Sequence, residues 1–251
     1  MQLRYITMSD PRENLSIEGT IKLLQISPLA ELGIQAHPSA MSIGMPRNKW
    51  MNALLDNVEN LRNQPNLALH VNYEWCDYMT NGLIPDEIAG WIGRKNTKTK
   101  KPLINRIQLN IGDNTTSFKI DKVIGLFKCF PDREFIFPFN QKVKQQIDAL
   151  REFSTNFKLL FDSSYGIGKS PNHWDTPVYN DVQFGYAGGM SPDNVEHNLN
   201  KISKILPQKY KTWVDAEGQL RRAGSFDIEL ARNYLLNALK WNLSNTKQIT
   251  R

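Results

Sequence analysis

The chain of 251 residues carries 31 Lys plus Arg against 25 Asp plus Glu, a formal net charge of +6, with 40% hydrophobic and 22% charged residues. That is an ordinary globular composition with enough apolar residues for a sizeable core, and the length suits one domain or two. No apolar run approaches the roughly 18 residues of a membrane span, and the opening MQLRYITMSD lacks a signal-peptide centre, so a cytoplasmic protein without membrane contact is expected.

Strand-like apolar runs occupy 3–8, 30–36, 67–73, 106–111, 134–139, 157–161, 182–187 and 212–215. One run per about 31 residues is the spacing of a repeated βα unit, so a single (β/α)₈ barrel spanning 1–251 is expected. Segments of helical period lie between most runs, the clearest at 49–62 after Pro46, 140–154, 192–205 and 225–241. Ser191 before Pro192, and Ser225 with Asp227 following, read as helix starts. Residues 94–102 (RKNTKTKKP) hold five Lys or Arg in nine without aromatic interleaving, which predicts a solvated surface loop rather than a nucleic-acid tether. The basic excess is modest, and a phosphorylated small molecule is the expected partner. Two cysteines, Cys76 and Cys129, stand far apart, which excludes a disulfide framework and a cysteine zinc site.

In a parallel barrel the chemistry sits where strands end, and the loops after strands 7 and 8 commonly hold a phosphate. After the seventh run comes Ala187-Gly188-Gly189-Met190-Ser191-Pro192-Asp193-Asn194-Val195. The two glycines let backbone approach an anion, Ser191 is placed to cap, and Pro192 opens a helix whose amides point at the ligand. After the eighth run, Asp215-Ala216-Glu217-Gly218 supplies a second glycine turn beside a carboxylate. The sixth run ends in Asp162, a carboxylate at the end of a buried strand, which is either a structural acceptor or a proton donor. The following Gly168-Lys169-Ser170 is not a nucleotide P-loop, because that motif needs glycine at Ser163 and a helix where Pro171 stands.

These segments, with Ile107-Gln108-Leu109, Tyr165-Gly166-Ile167-Gly168-Lys169, Trp174, Trp213-Val214-Asp215 and Gly224-Ser225-Phe226-Asp227, resemble phosphoribosylanthranilate isomerase. The match covers roughly the second half of the chain. Its most specific part is the GG-x-SP-x-NV run, and His70-Val71-Asn72 resembles that family's Phe-Val-Asn segment. The resemblance implies a (β/α)₈ barrel and an Amadori rearrangement of an aminoaldose phosphate to an aminoketose in tryptophan biosynthesis, without metal or organic cofactor. It implies Asp162 as the general acid. It places substrate and phosphate contacts at Gln108, Gly166, Gly168, Gly188, Gly189, Ser191, Asn194, Asp215, Glu217 and Gly218.

The chain departs from the family on the other side of the barrel. The family's general base is a first-strand cysteine, whereas this chain has Arg4-Tyr5-Ile6-Thr7-Met8-Ser9-Asp10 there. The loop after the second run has no arginine until Arg47, and Asn110-Ile111 stand where the family has His-Gly. Asp10 and His37, just beyond strand ends, are the replacement-base candidates, each with an alternative reading as a turn or loop residue. His70, His173 and His197 show no spacing for a shared metal. The departures fit a relative acting on a different phosphorylated ligand. A phosphosugar lyase using Lys169 and a catalytically degenerate phosphate-binding barrel are the competing expectations.

Overall fold

In the computed structural model, residues 1–111, 118–154, 156–162 and 170–249 are described. Eight parallel strands close into one barrel: β1 (Gln2–Ser9), β2 (Ala30–Ala36), β3 (Asn66–Val71), β4 (Arg106–Leu109), β5 (Glu134–Pro138), β6 (Phe157–Asp162), β7 (Phe184–Ala187) and β8 (Lys211–Ala216). Each coincides with an apolar run of the sequence, and β1 pairs with both β2 and β8 to complete the cylinder. Helices α1 (Ile17–Leu24), α2 (Pro38–Met41), α3 (Pro46–Val58), α4 (Tyr73–Thr80), α5 (Asp86–Ile92), α6 (Ile120–Cys129), α7 (Lys144–Arg151), α8 (Val195–Ile205) and α9 (Ile228–Ile249) intervene or follow, giving a (β/α)₈ barrel.

The main hydrophobic core lies between barrel and helices, because side chains alternate along each strand and one set faces outward. Ile6, Met8, Leu32, Ile34, Leu67, Leu69, Phe135 and Phe137 belong to it, all fully buried. The inward set differs in chemistry. Ile136, Leu160, Ala187 and Trp213 form a small separate apolar cluster with Tyr5 against it. Below them the guanidinium of Arg106 lies over the rings of Tyr5 (4.5 Å) and Trp213 (4.3 Å) and is 2.5 Å from Glu31. These contacts join β4 to the non-adjacent strands β1 and β8, so they cross the barrel interior. Gly185 makes room for the indole: a Cβ there would stand 2.1–2.5 Å from the Trp213 ring.

Two helix starts differ from expectation. Helix α8 begins at Val195, with Pro192 and Asp193 in the preceding turn and no capping bond from the Ser191 side chain. Ser225 pairs as a short strand with Arg222, and Asp227 caps α9 instead, its Oδ1 accepting from the amides of Glu229 (2.9 Å) and Leu230 (3.0 Å). A carboxylate at this position reaches two unpaired amides and favours the helix N-terminus, so it wins over a hydroxyl two residues earlier. Residues 94–102 form an exposed loop ahead of β4, tied by the Lys95–Pro102 bridge and by Asn96 Oδ1, which accepts from the amides of Lys98 and Thr99. That is the end of the barrel opposite the strand termini.

Candidate active site

The carboxyl ends of the strands open into a cavity of about 1090 Å³. Asp10, His37, Gln108, Asp162, Gly188, Gly189, Asp215, Glu217 and Gly218, expected from sequence as site residues, all line it. Gly166 and Gly168, with Lys169, lie outside the described residues. Ser191 and Asn194 do not line the cavity. Asn194 instead braces the glycine turn from behind: its Oδ1 accepts from the Ser191 amide (2.8 Å) and its Nδ2 donates to the Gly189 carbonyl (2.8 Å). One side-chain amide offers both a donor and an acceptor, so it satisfies both sides of a turn that a serine hydroxyl would serve less well.

Two carboxyl groups rise from the ends of β6 and β8, on either side of β7. Asp215 is 7% exposed and accepts a hydrogen bond of 2.6 Å from Ser9 Oγ. Burial pushes its pKa up to about 8, against the opposing effect of the Ser9 hydroxyl, and the nearby carboxylates of Glu217, Glu31 and Asp162 push the same way. Asp215 therefore holds a proton at neutral pH. Asp162 is half-buried at the cavity wall.

Asp10, just past the end of β1 and therefore beside β8, is held by arginines. Its backbone is left-handed (φ 62°), and its carboxylate accepts from Arg12 (3.1 Å), Arg47 (3.2 Å) and Arg221. These guanidinium groups occupy both oxygens, which corrects the expectation of a base at this position. His37 is half-buried, with Nδ1 2.8 Å from Ser39 Oγ and its ring edge against Tyr73. Burial and then the Arg47 charge lower its pKa, against the opposing carboxylates of Asp10 and Glu74. From Asp10 a chain of bonds runs around the rim. Arg221 donates to Glu217 (2.8 Å), Gln35 donates to Glu217 (2.9 Å), Asn72 donates to Gln35, Asn110 to Asn72 (2.8 Å) and Gln108 to Asn110 (2.8 Å).

The glycine turns after β7 and β8 face this rim. Gly188 and Gly189 have φ of 129° and 57°, conformations that side-chain-bearing residues rarely adopt. The amides of Gly188, Gly189 and Gly218 donate to none of the described residues. Unpaired backbone donors beside a cavity are what an anion needs.

No protein-family model matches the chain, and no curated protein matches it in sequence. Among solved structures it is similar to phosphoribosylanthranilate isomerase from Thermotoga maritima, at TM-score 0.54 and 14% identity, over 94% of this chain and 98% of that one. The isomerase from Pyrococcus furiosus is similar at TM-score 0.55 and 12% identity, with the same coverage of 94% and 98%. The likeness is one of fold.

Thr7 is 1% exposed and donates to Glu31 (2.7 Å), one turn of the pleat below Ser9. Cys76 is buried on α4, outside the barrel, where burial pushes its thiol up to about 12, and Cys129 is exposed. No cluster of three or more metal-ligating side chains occurs among the described residues. The sequence reading missed Ser9, Gln35 and the arginines of the rim. The available signal was strand alternation: Ser9, Gln35, His70 and Gln108 all fall on inward positions near strand ends. No helix of the described residues is long and apolar enough to cross a membrane.

Proposed function

We propose that the protein is an acid–base isomerase of a small phosphorylated sugar adduct, bound in the mouth of the barrel. The observation that carries this reading is the pair Asp162 and Asp215 flanking the glycine turn of β7, one of them kept protonated by burial. Two carboxyl groups on one face, of which buried Asp215 keeps its proton, can serve as an acid and a base. The phosphate takes the amides of Gly188, Gly189 and Gly218, which donate to none of the described residues, and the sugar lies between the carboxyl groups.

In this reading Asp215 is the acid. It protonates the ring oxygen as the C1–O bond breaks and the nitrogen lone pair forms C1=N. Asp162 then takes the C2 proton; the C–H pair forms C1=C2, and the C1=N pair returns to nitrogen. Loss of the C2 hydroxyl proton and protonation at C1 complete the ketone. The resemblance assigns the acid to Asp162, and the assignment is exchanged here because Asp215 is the carboxyl group that burial protonates. The arginines around Asp10 shape the rim where β1 meets β8, where the substrate's nitrogen-linked group would lie.

Turnover of an aminoaldose phosphate by the purified protein tests the reading. Isomerisation lost in both Asp162→Asn and Asp215→Asn supports it. Tight binding of ribose 5-phosphate with no turnover of any aminoaldose phosphate replaces it with a phosphate-binding barrel that senses rather than converts.

A further inference from the structure

His70 is the one inward histidine of the barrel, standing on β3 between Gln35 of β2 and Gln108 of β4. It is 2% exposed, yet it lines the cavity floor. Its ring nitrogens make no hydrogen bond with any described residue. Buried polar groups are nearly always paired, so an unpaired imidazole aimed into a cavity calls for a partner that arrives with the ligand.

The neighbouring strand is cut away to hold the ring in place. At Gly33 a Cβ would stand 2.6 Å from His70 Cε1 and 2.8 Å from Nε2, and 2.3 Å from Ser9 Oγ. The imidazole edge and the Ser9 hydroxyl therefore share the space a side chain would fill. The same Ser9 hydroxyl bonds Asp215.

We propose that His70 is a catalytic residue that hydrogen-bonds the C2 oxygen of the bound sugar, the oxygen that becomes the ketone. The inference rests on the phosphosugar reading above. Burial, and behind it the Arg106 charge, lower the imidazole's pKa to about 3, so it works as a neutral donor and not as a proton carrier. A neutral imidazole N–H polarises a C–O bond without giving up its proton, which suits an oxygen that gains negative charge as the C2 proton leaves. It also orients C2 toward its base. No protein bond has to be broken to make this contact.

The test is calorimetric titration of wild type, His70→Leu and His70→Gln with ribose 5-phosphate and, separately, inorganic phosphate, beside turnover of an aminoaldose phosphate. In His70→Leu, ribose 5-phosphate affinity should fall about tenfold while phosphate affinity stays unchanged, and kcat should fall about 10²-fold to 10³-fold with little change in KM. His70→Gln retains an N–H donor and should recover part of both losses, with circular dichroism confirming that each variant is folded. Equal ribose 5-phosphate affinity and kcat in folded His70→Leu overturns the contact while leaving the phosphosugar reading intact. Failure of the wild type to bind ribose 5-phosphate overturns that reading, and this contact with it. If His70→Leu does not fold, His70→Ala replaces it with the same readouts: lower ribose 5-phosphate affinity and kcat with phosphate affinity unchanged support the contact, and wild-type values overturn it.

Discussion

Ser9 Oγ lies 2.6 Å from Asp215 Oδ1, joining the end of the first strand to the end of the last. The hydroxyl stabilises the ionised carboxyl group, while burial opposes ionisation more strongly. If Asp215 is the acid, kcat/KM of the wild type should fall as pH rises through about 8. Asp215→Asn should lose that limb and about 10²-fold to 10⁴-fold in rate. Ser9→Ala should move the limb to higher pH, because the group that favours the carboxylate is gone. A limb that stays in place in Ser9→Ala argues against the assignment.

The same carboxyl group sets a pH dependence of stability. Its folded pKa of about 8 exceeds the ordinary value of 3.8, so the unfolded chain releases this proton first as pH rises. The contribution of Asp215 is fully present below pH 3.8 and is lost progressively up to about pH 8. Asp215→Asn should therefore melt near the wild type at pH 4 and above it at pH 9, by about 2–4 °C for each kcal/mol relieved. Scanning calorimetry at the two pH values checks this, and an equal shift at both would refute it.

The interior pair Arg106–Glu31 is 1% and 0% exposed, with the guanidinium between two aromatic rings. Glu31→Ala should destabilise the fold by about 3–5 kcal/mol, because it leaves the buried Arg106 cation with only the longer contact to Glu134 (3.5 Å). Replacing both members with apolar residues should cost much less. Urea unfolding of the single and double variants measures the difference, and equal losses would mean that lost packing, not lost charge pairing, dominates.

Gly189 combines a left-handed backbone with an amide that donates to no described residue. Gly189→Val should weaken inorganic phosphate binding at least tenfold through backbone strain and crowding of the amide. Unchanged affinity in a folded variant places the phosphate elsewhere.

Gly185→Ala brings a methyl into the Trp213 indole. A loss of about 1–3 kcal/mol is expected, with disturbed indole stacking on Arg106. Chemical denaturation followed by tryptophan fluorescence reports both effects, and wild-type stability would show that the ring moves without cost.

The sequence by itself determined the barrel and its working face. Eight apolar runs at a regular spacing became eight strands, since burial between barrel and helices demands an apolar outer face on every strand. The site residues at strand ends were legible for the same reason: chain order fixes which end of each parallel strand they occupy. Only the tertiary structure decided what those residues do. Asp10 looks like a free carboxylate in the chain, but Arg47 and Arg221, 37 and 211 positions away, close on it. Asp215 owes its proton to burial and to the neighbouring carboxylates of Glu217, Glu31 and Asp162, and His70 owes its place to a side chain that Gly33 lacks. Proton affinity and hydrogen-bond partnership are set by neighbours through space, and closing the barrel is what chooses those neighbours.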